Sequence, residues 1–282
     1  LDTLRRVRHA FCSREGQDFI TKERIMGRGG IGGAVALLAL AVWAGGAEAQ
    51  RRDGGNRAPA GYVGFALLGA DPIGELGSHI DAGIGGQLMA SLPVEPTGHL
   101  RLRGDFGFVI YGHERQRFCY GVPVGCRIEM DLNTTNSILF GGLGPELVFL
   151  TGAVEPYMNA TFGFSYFATT SSLQGEHDYD DFGSTTNFDD AVFAWRAGGG
   201  VRVRVAGGRR PVSLDLGVER HENGVAEFLT EGDIQDNPDG SITLYPRRSQ
   251  ADLTTVRLGV SIGIPHPGDR SDRRDDRRRR GR

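Results

Sequence analysis

Arginine and carboxylate side chains recur at two-residue spacing along this chain. Arg101, Arg103 and Asp105 form one such set, Arg196, Arg202 and Arg204 a second, Asp215 and Glu219 a third. A spacing of two places side chains on one face of an extended strand. With Glu146, Glu155 and Arg257, six arginines then face five carboxylates. Charges enclosed on one face must pair, and the planar guanidinium fork suits a carboxylate. The chemistry expected is a salt-bridge network, with a gated ion path as the functional alternative to a plug of structural ion pairs.

Three other groups of residues invite chemistry. Cys119 and Cys126, with six residues between them including Gly121, Pro123 and Gly125, predict a small disulfide loop formed in an oxidising compartment. No metal is expected there, because His113 is the only nearby imidazole. In Glu219-Arg220-His221-Glu222-Asn223-Gly224 a histidine could activate a nucleophile, but no hydroxyl stands beside His221 in the sequence. The segments Glu176 to Asp181, Asp189-Asp190, and Glu227, Glu231, Asp233, Asp236 and Asp239 are rich in carboxylates. They lack the ligand spacing of a calcium loop and read as solvated loops, with Pro238-Asp239-Gly240 a turn and Ser241 to Tyr245 a returning hairpin strand. No catalytic residue, metal or cofactor is expected.

The elements that position these residues read as strands. From Ala191 to Val205, Phe193, Trp195, Val201 and Val203 alternate with Arg196, Gly198, Gly200, Arg202 and Arg204. The same alternation runs through 99–111, 154–167, 212–218 and 256–264, and more weakly through 62–69, 80–91 and 137–150, which makes eight strands. Connections after the second, fourth and sixth strands are short, whereas those after the first, third, fifth and seventh are long, reaching about thirty residues between Glu222 and Gln250. Forty-four glycines in 282 residues are about twice the usual share, and on the charged faces they leave room inside a narrow barrel.

The expected fold is all-β, an eight-stranded antiparallel up-and-down transmembrane β-barrel over 61–264, with short turns on the inner side of the membrane and long external loops. A soluble exported β-protein is the alternative, disfavoured by bulky apolar residues on one face and strands long enough to cross a bilayer. Residues 26–49 carry a basic start, the apolar run Ile31 to Ala44 and a small-x-small site at Ala47 and Ala49, a secretory signal peptide with cleavage there. Residues 1–25 are read as an upstream artefact and 50–60 as a disordered leader. Residues 265–282 form a disordered tail with eight arginines and four aspartates from Asp269 onward.

The chain resembles the small eight-stranded outer-membrane proteins typified by the OmpA transmembrane domain and OmpX, over about Gly61 to Ile264. Arg257-Leu258-Gly259-Val260-Ser261-Ile262-Gly263-Ile264 is similar to the last-strand assembly signal of such barrels, with Gly259, Ile262 and Ile264 at its key positions and Ile264 where an aromatic residue is usual. The resemblance implies residence in the cell outer membrane, contact with outer-membrane lipid and with the barrel-assembly machinery, and a monomer. It implies an envelope-structural or surface-interaction role through the external loops, with an external ligand or cell-wall contact as candidate partners and no nucleic acid. A narrow pore or small-molecule transporter is the alternative. A lipid A-modifying enzyme stands further off, because the faint likeness of 219–224 to the outer-membrane deacylase motif lacks the serine.

Overall fold

In a computed structural model the described residues are 59–120, 128–175, 181–208, 210–237 and 241–265. Twelve strands run in chain order: β1 (Gly61–Pro72), β2 (Gly83–Pro93), β3 (Leu100–Tyr120), β4 (Ile128–Val148), β5 (Val154–Gly175), β6 (Asp181–Ala206), β7 (Val212–Glu222), β8 (Val225–Phe228), β9 (Ile234–Asp236), β10 (Ile242–Leu244), β11 (Arg247–Gln250) and β12 (Leu253–Ile264). Eight of them form a closed antiparallel barrel in the order β1-β12-β7-β6-β5-β4-β3-β2. Closure is made by β1 on β12, paired from Gly61 with Ile264 to Pro72 with Leu253.

The alternation in sequence becomes an inside-out distribution of polarity. Outward positions carry Phe65, Leu67, Leu88, Phe106, Phe108, Phe162, Phe164, Trp195 and Val260, all exposed, and Ile84 and Phe193 reach 73% and 69%. Inward positions carry Arg103, Arg196, Glu146 and Asp215, each at 0%. A continuous apolar exterior of this extent far exceeds the few hundred Å² that a soluble monomer leaves in water. Strands β1, β2, β7 and β12 have 11 or 12 residues. At about 3.3 Å per residue and a tilt of roughly 40°, that length spans about 30 Å, the thickness of a bilayer's hydrocarbon core. The barrel is therefore built to stand in a membrane.

Short turns, 94–99, 149–153 and 207–211, close one end. At the other end the structure departs from the expected long loops after the third and fifth strands. Strands β3 to β6 are 21, 21, 22 and 26 residues long. They continue past the barrel as a paired sheet, and Asp189 and Asp190 pair with Ala168 and Phe167 inside it rather than lying in a loop. The reason is composition: the extension is rich in Ser, Thr and Asn, which bond across strands, as Thr134 Oγ1 and Ser171 Oγ do at 2.9 Å and Asn133 Nδ2 and Gln174 Oε1 at 2.8 Å. Both faces there lack the apolar alternation that marks the membrane band. Cys119 lies in β3, while Cys126 and the connection 121–127 lie outside the described residues, as do Ala47, Ala49 and the segment 176–180.

The connection between β7 and β12 is not a free loop either. Gly224, at φ +66°, turns the chain back over the barrel mouth in a conformation that favours glycine. There β8 pairs with β11, and β9 pairs with β10 as a small hairpin that includes most of the expected return strand 241–245. Ala226, Phe228 and Ala251 join Leu68, Val109, Ile138, Phe140, Phe167 and Leu253 in one buried apolar cluster. Phe228 lies 6.1 Å from Phe167 between ring centroids, and Tyr111 Oη donates to the Leu229 carbonyl at 3.4 Å. The mouth is thus stoppered by its own loop. Replacing outward Phe164 by Arg should lower unfolding stability from lipid vesicles by about 2–4 kcal/mol, the cost of a charge near the middle of the apolar band. An unchanged urea midpoint would show that this wall does not face lipid.

Candidate functional site

Among the described residues, buried charge is concentrated in the lumen. At the turn end, Glu155 receives Arg101 Nη1 at 3.1 Å and the Tyr62 hydroxyl at 3.1 Å, while Arg101 Nε donates to the Gly98 carbonyl at 3.0 Å. Arg204, whose side chain is 14% exposed, lies 4.0 Å from Glu155. In the next layer Glu146 receives Arg202 Nη2 at 2.5 Å and Arg103 Nη1 at 3.1 Å. Arg103 also holds Asp105 at 2.9 Å, and Arg202 holds Asp215 at 3.1 Å. Further in, Arg257 Nη1 meets Glu219 at 2.8 Å, and Asn159 and Gln87 donate to Glu219 and Asp105 at 2.5 and 2.9 Å.

These are the six arginines and five carboxylates whose parity in the sequence put them on inward faces, and the barrel brings ten of them into direct ion-pair contact. Arg196 stands apart. It is fully buried, without an ion pair within 4.0 Å among the described residues, and its guanidinium carbon lies 5.1 Å from the Phe140 ring centre.

Sequence reasoning passed over Tyr157, the hub of the network. Its hydroxyl donates to Asp215 Oδ1 at 2.6 Å and accepts from Arg257 Nη2 at 2.6 Å, and its ring lies under Arg202 at 4.3 Å. The available signal was its position two residues from both Glu155 and Asn159, and likewise Tyr62 shares inward parity with Ala66 and Leu68. Glycine makes the packing possible. A Cβ on Gly217 would sit 2.6 Å from the Arg257 guanidinium, one on Gly200 2.7 Å from the Tyr157 hydroxyl, and one on Gly142 2.5 Å from Arg196 Nη2.

The 219–224 segment needs a correction. A hydroxyl does stand beside His221, supplied not by its sequence neighbours but by Thr255 across the ladder, with Nε2 and Oγ1 3.1 Å apart. Both residues are buried, and His221 meets Phe140 edge-on at 5.1 Å. Asn223 is buried as well: it accepts from Ser165 Oγ at 2.7 Å and donates to the Ala251 carbonyl at 2.6 Å, tying β5 to the returning loop. In β12, Arg257 points into the lumen, Ile262 points outward, and Gly259 and Ile264 pair with Ala66 and Gly61 of β1, at the closing seam.

Outside the membrane band Asp131 and Asp233 are engaged by arginine. Hydrogen bonding from Arg115, with Arg117 beside it, holds the Asp131 carboxyl below the usual range. For Asp233, partial burial acts to raise the carboxyl, but hydrogen bonds from Arg247 and Thr230 outweigh it and hold it low. A carboxyl lowered in the folded state stabilises above its unfolded value near 3.9 and loses that contribution as pH falls through the folded one. Hydrogen-exchange protection of 230–247 should therefore weaken below about pH 4, and Asp233→Asn should show the same weakening at neutral pH.

No protein-family model matches the chain, and no curated protein sequence does. Among solved structures it is similar to Neisserial surface protein A, at 15% identity and a TM-score of 0.41, over 73% of this chain and 97% of that one. It is also similar to the attachment invasion locus protein Ail of Yersinia pestis, at 12% identity and a TM-score of 0.32, over 72% and 95%. A major outer membrane protein from Thermus thermophilus follows at 13% identity and 0.32, over 72% and 98%. The architecture of this chain rests on its own closed ring of hydrogen bonds.

The network makes a graded prediction for stability. Glu146→Ala, which takes from Arg103 and from Arg202 one of their carboxylate partners and leaves the buried set one negative charge short, should cost about 3–5 kcal/mol, and Tyr157→Phe, which removes one bridging hydroxyl, about 1–3 kcal/mol. Equal and negligible losses in a denaturant titration would mean that the lumen is wet and its pairs dispensable.

Proposed function

We propose that the protein is a monomeric outer-membrane barrel whose lumen is a structural plug and whose work is done at the cell surface by the sheet that projects from it. The observation that carries this reading is the division of the molecule at the membrane boundary. Inside the band, ten of the eleven lumen charges are locked in ion pairs beneath an apolar stopper. Beyond it, β3 to β6 continue as a four-stranded sheet whose outer strands have no further paired strand among the described residues, since β6 pairs with β7 only from Trp195 and β3 pairs with β2 only up to Ile110. The β3 edge carries Glu114, Arg115 and Arg117, and charges blunt strand addition. The β6 edge carries Ser184, Thr185, Thr186 and Asn187, uncharged residues on which an extended partner segment can lie.

Export through a signal peptide cleaved at Ala47 to Ala49, a Cys119–Cys126 bridge and recognition of β12 by the assembly machinery belong to the same reading. So does surrounding lipid, which the Phe- and Leu-rich wall suits. Cell-wall or other anionic contact through the arginine-rich tail belongs to it too. Against a transport role stands the packing of Tyr62, Arg101, Glu155 and Arg202 across the turn end and of Phe228 and Leu229 in the mouth. Against acyl transfer stands the enclosure of His221 and Thr255 inside the wall.

The test joins orientation to conduction. An epitope inserted at 184–186 should be detected on intact cells, whereas one in the 151–152 turn should appear only after permeabilisation. The purified protein should show heat-modifiable migration and no stable nanosiemens openings in planar bilayers. Surface detection of the turn epitope instead, or sustained openings, would overturn the reading.

A further inference from the structure

The outer wall of the barrel is not uniformly bulky. Across β1 to β5, Val63, Ala90, Gly104, Leu143 and Phe162 stand side by side in one outward row, with Leu88, Phe106, Gly141 and Phe164 in the next. Ala90, Gly104 and Gly141 therefore lay a floor of bare backbone and one methyl group over neighbouring strands β2, β3 and β4, roughly 10 Å across at the strand spacing. The bulky members of the two rows stand around this floor and frame a hollow of about 760 Å³ that opens toward the lipid. Every outward side chain lining it is apolar. Met89 and Asp105 border it as well, but their side chains turn into the lumen and meet Arg103 there.

The floor is narrow as well as bare. Along its own strand each small residue is flanked by large ones two positions away, Gly104 by Leu102 and Phe106, and Ala90 by Leu88 and Leu92. Such flanking residues are about 13 Å apart between Cα atoms, and both side chains reach into that gap. A helix about 10–12 Å thick does not enter it. A second copy of the same wall does not fill it either, because a symmetric interface sets hollow against hollow. Water finds no polar partner on such a lining. What the gap admits is a single extended hydrocarbon chain, and hydrocarbon is what surrounds this wall.

We infer that the hollow over Ala90, Gly104 and Gly141 holds one acyl chain of a membrane phospholipid. The leaflet is the one on the turn side, since Gly104 lies close to the start of β3 at Leu100 and Ala90 close to the end of β2 at Pro93. The inference rests on the barrel's standing in a membrane. No hydrophobic effect drives the contact, because the chain leaves one hydrocarbon surrounding for another. The gain is close packing: in the hollow the chain touches the floor and both rims, whereas elsewhere it touches one convex surface.

The experiment is native mass spectrometry of the full chain refolded in detergent that contains a small fraction of palmitoyl-oleoyl phosphatidylethanolamine. One lipid should stay on each chain through detergent exchange. A short-chain phosphatidylethanolamine should be retained severalfold less, whereas palmitoyl-oleoyl phosphatidylglycerol should be retained equally. Ala90→Phe, which fills the floor, should cut retention severalfold. Gly104→Val should do the same, and its added Cβ would press on the end of the Leu143 side chain at 2.9 Å. Val260→Phe, which adds bulk at an exposed position of β12 away from the hollow, should leave retention unchanged. Equal retention in wild type, Ala90→Phe and Gly104→Val, with heat-modifiable migration intact, would overturn the inference and leave the membrane barrel standing. Retention that follows the headgroup and ignores chain length would overturn it too, as would a dimer mass that Ala90→Phe abolishes. Absence of heat-modifiable migration in the wild-type chain would overturn both the inference and the barrel reading beneath it.

Discussion

Hydrocarbon offers no hydrogen bonds, and nearly everything in this molecule follows from that constraint. A strand edge in lipid leaves unpaired N–H and C=O groups at several kcal/mol each, so the sheet must close on itself, as β1 and β12 do along twelve residue pairs. Closure at eight strands sorts side chains by parity, odd outward and even inward or the reverse, and leaves an interior wide enough only for side chains. Inward polar groups then find their partners in one another. The network joins neighbouring strands, as Arg103 of β3 does with Glu146 of β4, and also reaches past them: Glu146 of β4 receives β6 through Arg202, and Tyr157 of β5 joins β7 and β12 through Asp215 and Arg257. Such cross-links hold the ring's section against flattening, so what closes the wall also fixes the interior.

Glycine and arginine are two halves of the same solution. A guanidinium is long and flat, and folding several of them into so narrow a bore needs facing positions with no side chain. Gly217 beneath Arg257 and Gly142 beneath Arg196 are such positions, and on each a single methyl would occupy the arginine's own volume. Lysine would demand less width but would offer neither the fork that lets Arg202 hold Glu146 and Asp215 together nor the flat face that stacks on Tyr157. The high glycine content is thus a geometric consequence of choosing arginine for the lumen.

The parts of this fold legible in the sequence are those governed by period two. Phe193 and Trp195 against Arg196, and Leu214 and Leu216 against Asp215, announce a wall with an apolar outside and a charged inside. The projecting sheet was not legible because its strands carry polar residues on both faces, even where Thr169 and Ser171 are buried, so Thr169 to Ser172 and Ser184 to Asn187 show no alternation of polar and apolar and read as loop. The stopper was hidden for another reason. Phe228 and Leu229 sit among acidic and polar residues, and only the return of the chain over the mouth buries them. Tyr157 was obscured because an aromatic residue in a membrane strand is expected on the lipid side, where most of its kind sit here. The Thr255 hydroxyl beside His221 belongs to a register between β7 and β12 that no local reading reveals.

The two closures of the lumen obey different physics, and that difference bears on what the barrel can do. Toward the turns it is shut by ion pairs, which a change of charge or of partner loosens; toward the mouth it is shut by apolar contact, which charge barely touches. Movement of the 223–252 loop alone would uncover the ion-pair layer without opening it. Exchange of partners among Arg101, Arg202 and Glu155 alone would open only onto Phe140, Phe167 and Phe228. Asn223 ties the loop to Ser165 in β5 at 2.7 Å, so the stopper is anchored to the wall and not to the ion pairs. A gate works when one event clears the path; here two barriers of different kind lie in series, with no residue among those described that belongs to both the ion pairs and the stopper. The arrangement therefore serves rigidity, and it gives a firm base to the sheet that β3 to β6 carry beyond the barrel.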